Sequence, residues 1–570
     1  MKILINHLGH GKYGYKKAIV QTTEEFQVKE FVIKDAGSDR TVFSGQAGKA
    51  ERVYDWRNWF FSRLEFTEFS GYGEFYILIS VGRVVVRSEE FEIRDNPYLT
   101  NTLTEVLSYF TSQRCEGIYD QADRHMSFFG AREEQVDVHG GWYDASGDVS
   151  KYLSHLSYAN YMNPQQIPLV VWSLLYSFKL VTQQKTVNWK YLPERIISEA
   201  LFGADFLVRM QDKAGYFYMT VFDGWTMDIN KREICSYSTI KGIKSEAYEA
   251  SFRQGGGMAI AALAGMSGMR RSGEFDSQTY LEAAKKGFRH LEENNTRYLD
   301  DGKENIIDDY CALLAASELF LACGEEDFLR AAVFRAENLI NRISRDQSFD
   351  GWWRADGQGE RPFFHASDAG LPVMALLRFM DIEHPMVDRT AVLRAVRKSL
   401  EFELSITNEV SNPFGYARQY VKAVDESRKS AFFFPHQNES GYWWQGENAR
   451  LASLCTVGSL ASRYFKAEKE IVSALRKYAQ DQLDWILGLN PFDRCMLHGK
   501  GRNNPEYTKF NLKNRPGGIC NGITSGYDDE QDIEFLPSRY RGNLGQNWRW
   551  TEQWLPHAAW YFLAVCAGAE

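Results

Sequence analysis

Gly140-Gly141-Trp142-Tyr143-Asp144-Ala145-Ser146-Gly147-Asp148-Val149-Ser150-Lys151-Tyr152 sets two carboxylates, three glycines and three aromatic rings in thirteen residues. Glycine lets a backbone turn sharply and approach a ligand closely. Aromatic rings offer the flat apolar faces on which sugar rings stack. Two aspartates four positions apart can address one water. The combination points to hydrolysis of a polar ligand. The plainer reading is a glycine-rich loop with solvated aspartates, since loops carry both function and filler.

The patterning differs on the two sides of this loop. Upstream, Lys16–Val20, Gln27–Ile33, Glu74–Ile79, Arg83–Arg87 and Glu90–Ile93 are mostly rich in β-branched and aromatic residues. Turn signals such as Ala36-Gly37-Ser38-Asp39 and Ser70-Gly71-Tyr72-Gly73 separate several of them. Short strands at this spacing predict a small antiparallel sandwich. Asp95-Asn96-Pro97 closes the run, so residues 1–95 are expected to form one domain and 96–570 a second.

From about residue 100 the apolar residues recur at helical spacing. Leu169–Leu180, Ile196–Met210, Gly257–Met269, Leu281–Leu291, Tyr310–Leu321, Phe328–Ile343, Ala369–Met380, Val392–Leu404, Ala449–Phe465, Ile471–Leu487 and Trp554–Ala567 join an opening helix near 101–113. About twelve helices are expected, in a large all-α domain with long loops on one side. The segments between them hold most of the Gly, Trp and Asp clusters. The last helix is expected to begin near Thr551, with Thr551 as its cap and Glu552 in its first turn, where a carboxylate favours the helix dipole.

The 570 residues allow two or more domains. Aromatics make up 14% of them, with 15 Trp and 30 Tyr, which fits ring-stacking surfaces. A net charge of −9 and no long basic run argue against a nucleic-acid partner. The eight cysteines form no CxxC pair and read as buried free thiols. Met1–His7 lacks an apolar signal core, and no apolar run approaches the roughly 20 residues of a membrane helix. The expectation is a cytoplasmic protein without a membrane partner; oligomeric state is not legible. Arg253-Gln254-Gly255-Gly256-Gly257 lacks the phosphate-loop pattern.

Several blocks resemble glycoside hydrolase family 9. Gly141-Trp142-Tyr143-Asp144-Ala145-Ser146-Gly147-Asp148 resembles that family's aspartate block. Asn305-Ile306-Ile307-Asp308-Asp309-Tyr310 through Glu318-Leu319 is similar to one of its barrel helices. Asp484-Trp485-Ile486-Leu487-Gly488-Leu489-Asn490-Pro491 with Gly499-Lys500-Gly501 resembles a late signature, and Asn6-His7-Leu8-Gly9 the opening of its N-terminal module. The resemblance implies a multidomain protein, an all-β immunoglobulin-like sandwich followed by an all-α (α/α)6 barrel. It implies inverting glycoside hydrolysis with no required cofactor. Calcium or zinc occurs in some relatives, but no ligand cluster here requires either.

Three departures bear on substrate. Ser146 widens the aspartate spacing from three to four. Arg502-Asn503-Asn504-Pro505-Glu506-Tyr507 stands where a glucan-binding His-His-Arg usually follows Gly501. Thr551 replaces the usual Asn before the catalytic Glu. These are similar to the branch acting as exo-β-glucosaminidase on chitosan oligosaccharides, as is the texture of Phe433–Glu439 and Trp443–Asn448.

An inverting glycosidase needs an acid and a base about 6.5–9.5 Å apart, leaving room for water. Glu552 is the expected general acid, its pKa raised by aromatics such as Trp550 and Trp554. Asp148 is the expected general base, and Asp144 its partner in holding the water. Trp142, Tyr143, Trp443 and Trp444 are candidates for sugar stacking, with core packing as the equal alternative. His436 and the pair His365 and Asp368 are candidates for sugar hydroxyls, although Asp368 also reads as a helix cap. An amine-bearing substrate needs a carboxylate partner; Asp137, Glu439 and Glu447 are the candidates. The competing readings are a β-glucosidase or endo-β-1,4-glucanase on neutral glucans, and a non-catalytic carbohydrate-binding protein.

Overall fold

The computed structural model describes residues 1–54, 56–184, 190–509 and 512–569. Ten strands make the N-terminal unit: β1 (Lys2–Leu4), β2 (His10–Gly11), β3 (Lys17–Thr22), β4 (Glu30–Asp35), β5 (Thr41–Gln46), β6 (Glu51–Arg52), β7 (Phe60–Glu65), β8 (Gly73–Val81), β9 (Val84–Arg87) and β10 (Phe91–Arg94). They form two sheets, ordered β1-β3-β7-β6 and β2-β10-β8-β4-β5, with β9 on β8. Alternate residues of the two sheets meet in a shared core that includes Ile3, Ala18, Val20, Phe31, Ile33, Phe75, Ile77 and Ile79. Strand β5 shows why part of this sandwich escapes sequence reading. Its Thr41-Val42-Phe43-Ser44-Gly45-Gln46 run is an exposed edge that sends Phe43 against the core and leaves none of its residues fully buried.

The opposite face of the first sheet is also buried. Leu4, Ile19, Val53, Trp56 and Phe61 join the core of the helical unit. Trp56 packs its ring at 4.8 Å from Phe432 and 6.2 Å from Trp485. Lys17, fully buried, pairs with Asp481 at 2.6 Å and donates to the Pro413 and Phe414 carbonyls. A buried ammonium needs such partners, because desolvation otherwise costs several kcal/mol.

Twelve helices of nine residues or more follow among the described residues: α1 (Pro97–Ser112), α2 (Ile167–Gln183), α3 (Leu192–Arg209), α4 (Gly257–Gly268), α5 (Ser277–Asn294), α6 (Ile306–Cys323), α7 (Glu326–Ile340), α8 (Leu371–Phe379), α9 (Arg389–Thr407), α10 (Asn448–Ser462), α11 (Lys469–Ile486) and α12 (Leu555–Gly568). The even-numbered helices touch in the closed order α2-α4-α6-α8-α10-α12-α2, and the odd-numbered ones lie outside them. This is an (α/α)6 barrel behind an immunoglobulin-like sandwich. The burial agrees with the layering: α4 and α12 are apolar nearly all round and buried, whereas α5 and α11 bury one stripe.

All eight cysteines are free, and only Cys323 is more than slightly exposed. No described helix is long and apolar enough to cross a membrane.

One boundary differs from expectation. A separate short helix, Trp548–Thr551, precedes Glu552, whose backbone is extended (ψ 137°). Helix α12 starts only at Leu555, with Pro556 in its first turn. Thr551 therefore caps nothing, and Glu552 lies on the link between two helices. Pro556 sets that start, because proline suits a first turn and breaks an interior.

Candidate active site

The 138–152 loop is pinned from behind by buried charge. The Lys151 ammonium reaches the Val138 and Gly140 carbonyls at 2.7 and 2.8 Å and pairs with Asp123 at 2.6 Å. Arg232 grips the same Asp123 with two nitrogens and donates to the Val149 carbonyl at 2.8 Å. Against its burial, the charges of Lys151 and Arg232 hold the Asp123 carboxyl down to about 2. The loop's turns are thus set by satisfied charges, and both aspartates project from a fixed frame.

Ser146, the extra residue in the aspartate spacing, ties this loop to the Glu552 segment. Its N–H donates to the Gln553 carbonyl at 2.9 Å, and its Oγ accepts from the Gln553 N–H at 3.0 Å. The same Oγ donates to Asn514 Oδ1 at 2.9 Å. Next to it, the Leu555 N–H donates to the Asp144 carbonyl at 3.0 Å. Ser146→Ala is expected to lower stability by about 1–3 kcal/mol, because it leaves the buried Gln553 donor and Asn514 acceptor unpaired. kcat is expected to fall more than KM rises. Unchanged melting and unchanged kcat would remove this tie from the site.

The three carboxyls converge. Potential ligand atoms of Asp144, Asp148 and His155 all lie within 4.8 Å of one another. Gly147 brings Glu552 in: a Cβ there would lie 2.5 Å from Glu552 Oε1 and 2.7 Å from the Tyr507 hydroxyl. Asp148 accepts from the Ser150 N–H and the Tyr152 hydroxyl, both at 2.8 Å. Asp144 accepts from Trp554 Nε1 at 3.1 Å, and the Gln166 amide, turned to satisfy both groups, donates to it at 2.5 Å. Burial, reinforced by the charges of Asp148 and Glu552, holds the Asp144 carboxyl well above the usual carboxylate range. Burial also pushes Glu552 up to about 7; the Asp148 charge adds to this, while Lys509, Tyr507 and the Gly147 backbone oppose it. Glu552 keeps partial contact with solvent.

A metal does not fit this cluster. The Leu156 N–H donates to His155 Nδ1 at 3.0 Å, so the ring proton sits on Nε2, which faces Asp144 at 3.9 Å. Burial pushes that imidazole down to about 3, so it is neutral. His155 presents an N–H to the site and has no lone pair there for an ion.

Most of the aromatic and polar candidates are taken up elsewhere. Trp142 is fully buried; it donates to Glu199 at 2.9 Å and lies against Gly203. Tyr143 bonds the Glu116 backbone and rests edge-on to Tyr119. Trp444 is sandwiched between His436, stacked at 3.7 Å, and the Arg549 guanidinium at 4.1 Å, so both faces are covered. His436 spends Nε2 on Ser525 at 2.8 Å. Fully buried His365 accepts two backbone N–H bonds at Nδ1. Asp368 caps no helix; it accepts from Gln165, Trp560 and Ser367 beneath the site. Glu447 is consumed by Arg450, Gln419 and the Phe434 N–H. Glu439 is consumed by Arg361, and Asp137 pairs with His139. None of these carboxylates is spare for an amine.

Trp443 is different. It lies edge-on to Trp554 at 5.8 Å, one ring from Asp144. Sequence reasoning missed His155, Gln166, Tyr152 and Tyr507 as site residues. Tyr152 was within reach, since it stands four residues after Asp148 at the end of the decisive loop.

The Arg502–Tyr507 segment is likewise committed. Arg502 pairs with Asp493 at 2.7 Å, and its N–H meets His7 of the sandwich at 3.2 Å. Asn504 bonds the carbonyls of Cys495, Leu497 and Lys500. Only Tyr507 turns to Glu552.

The comparisons with known proteins agree with this fold. The model described as Glycosyl hydrolase family 9 matches residues 100–516, and that described as Cellulase N-terminal ig-like domain matches 1–83. No curated protein matches the chain. Among solved structures, one described as Bacteroides ovatus GH9 is 20% identical, with 100% of this chain and 98% of that chain covered at a TM-score of 0.65. A metagenome-derived family 9 endoglucanase is 17% identical, with 100% and 99% covered at 0.65. Endoglucanase J30 is 16% identical, with 98% and 100% covered at 0.64. At these identities the likeness speaks for the fold.

Proposed function

The chain belongs to glycosyl hydrolase family 9, and from that premise we propose that this glycosidase is an inverting exo-β-D-glucosaminidase, releasing glucosamine from β-1,4-linked chitosan oligosaccharides. One observation carries the substrate. Asp144, Asp148 and Glu552 crowd one site, and among the described residues no Lys or Arg forms an ion pair with Asp144 or Asp148. Their repulsion helps hold the Asp144 proton in place. A sugar carrying an ammonium group offsets that repulsion; a neutral sugar does not. The committed Arg502–Tyr507 segment supports the same reading, because its guanidinium is spent on Asp493. Exo action needs one end of the site closed, and the sandwich, which packs Trp56 against Phe432, is the candidate wall.

In this mechanism protonated Glu552 donates to the glycosidic oxygen as the bond breaks. Asp148 removes a proton from water attacking the opposite face, and the released sugar has inverted configuration. Asp144 and His155 flank the water and the −1 sugar. As the ammonium binds, the Asp144 carboxyl gives up its proton to solvent and becomes the ion-pair partner of that ammonium.

The test is monosaccharide release from the β-1,4 glucosamine dimer, run beside cellobiose and the N-acetylated dimer. Glucosamine release with the other two inert is expected, since acetylation removes the charge. Glucose release alone would overturn the substrate and leave a neutral-glucan hydrolase, the activity named for the endoglucanase structures above. No release from any dimer would overturn disaccharide cleavage.

A further inference from the structure

Asp148 is held at both oxygens, and both holds lead to one distant turn. Tyr152, whose hydroxyl donates to Asp148 Oδ2, accepts in turn from Trp225 Nε1 at 3.1 Å. Ser150, whose N–H donates to Asp148 Oδ1, sends its own hydroxyl to Asp223 Oδ1 at 2.9 Å. Asp223 also accepts from the N–H groups of Trp225 and Met227, and its carbonyl accepts from the Thr226 hydroxyl at 2.8 Å. Trp225 and Met227 both sit in the left-handed region, at φ 58° and 59°. Side chains rarely adopt that conformation unless the surroundings dictate it. Here the Asp223 carboxylate dictates it.

The backbone reinforces the arrangement. Lys151–Tyr152 pairs antiparallel with Thr220–Val221, in the strand that runs directly into this turn. Trp225 is wedged against Phe222 at 5.0 Å and Tyr237 at 5.5 Å. Tyr152 and the turn therefore belong to one hydrogen-bonded unit.

We propose that the Asp223–Met227 turn is a positioning device for the general base: Trp225 orients the Tyr152 hydroxyl onto one oxygen of Asp148, and Asp223 anchors Ser150 at the other. Asp223, Trp225 and Tyr152 are positioning residues, not catalytic ones. The inference rests on Asp148 acting as the base, as under the proposed function, and it holds whichever β-glycoside is the substrate. The other groups whose charge bears on Asp148 are Asp144, Glu552, Asp223, Tyr237 and Tyr507, and neutral His155 lies within 4.8 Å.

The test uses Tyr152→Phe, Trp225→Phe and the double variant. Rates are measured across pH on whichever of the glucosamine dimer and cellotetraose the unaltered enzyme hydrolyses. Tyr152→Phe keeps the buried ring and removes one donor, so kcat is expected to fall about tenfold, the usual weight of one hydrogen bond to a charged group. KM is expected to hold. The acid limb of kcat/KM is expected to move to higher pH, because a carboxylate that loses a donated hydrogen bond keeps its charge less readily. Trp225→Phe is expected to move the limb in the same direction by less. The double variant is expected to match Tyr152→Phe alone, since Trp225 acts through that hydroxyl. A fixed acid limb in Tyr152→Phe, or additive losses in the double variant, would overturn the positioning role. Persistent turnover in Asp148→Asn would instead overturn the base assignment and the inference with it.

Discussion

Glu552→Gln is expected to lower kcat on β-1,4 oligosaccharides by roughly 10²–10⁴-fold, the range that a positioned general acid contributes, with substrate affinity retained. Glutamine keeps the size and the contacts with Tyr507 and Gly147 but has no proton to give. The site is built to keep that proton. Burial raises the Glu552 carboxyl to about 7, with the Asp148 charge behind it. The acid form therefore predominates below about pH 7, and activity is expected to fall as pH rises through that value. Two measurements check this: kcat of the variant, and the basic limb of the wild-type profile. A basic limb that persists near pH 7 in residual Glu552→Gln activity would assign the proton to another group. Substrates with leaving groups that need no protonation are expected to be far less affected.

Asp148→Ala is expected to lose hydrolysis to a similar extent, for the opposite reason. The acid remains, but no carboxylate deprotonates the attacking water. Added azide needs no deprotonation and is expected to restore turnover, entering from the face opposite the leaving group. The product is then the α-glycosyl azide: the new C–N bond forms as the glycosidic C–O bond breaks, and Glu552 protonates the departing oxygen. A β-azide product, or rescue in Asp144→Ala but not in Asp148→Ala, would reassign the base. Asp144 is distinguished from Asp148 by its surroundings. It receives Trp554 and Gln166 and carries the raised pKa, whereas Asp148 is held by Ser150 and Tyr152.

The sandwich and the barrel were readable because their signals are local and periodic. Runs rich in β-branched and aromatic residues, such as Phe31-Val32-Ile33 and Phe75-Tyr76-Ile77, mark strands, and near-continuous apolar runs such as Gly257–Gly268 mark helices buried all round. Strands β5 and β7 were missed for complementary reasons. The first is an exposed edge with little apolar content, and the second interleaves Ser62 and Arg63 with its core residues.

Asp144 and Asp148 stand out in the chain because a Gly-rich aspartate loop is a short-range pattern, and Glu552 is picked out by the family resemblance, which places an acid before the last apolar helix. Their surroundings are not legible in the same way. Whether Trp142 or Trp443 stands near the substrate depends on which way each indole points, and only packing decides that. Gly203 leaves a slot that takes Trp142 into the core, and Trp554 holds Trp443 one ring from the site. Glu447 and Glu439 read as free acids until Arg450 and Arg361 are brought to them by segments that the sequence does not pair. Ser146 reads as a disturbance of spacing until Gln553, more than four hundred residues away, supplies its partners. The sequence by itself determined the two architectures and put forward the acids proposed for the chemistry, since periodicity and residue type are properties of short segments. The tertiary structure alone decided which rings lie beside the candidate site, which charges are already neutralised and what holds Asp148, since those depend on contacts between residues far apart in the chain.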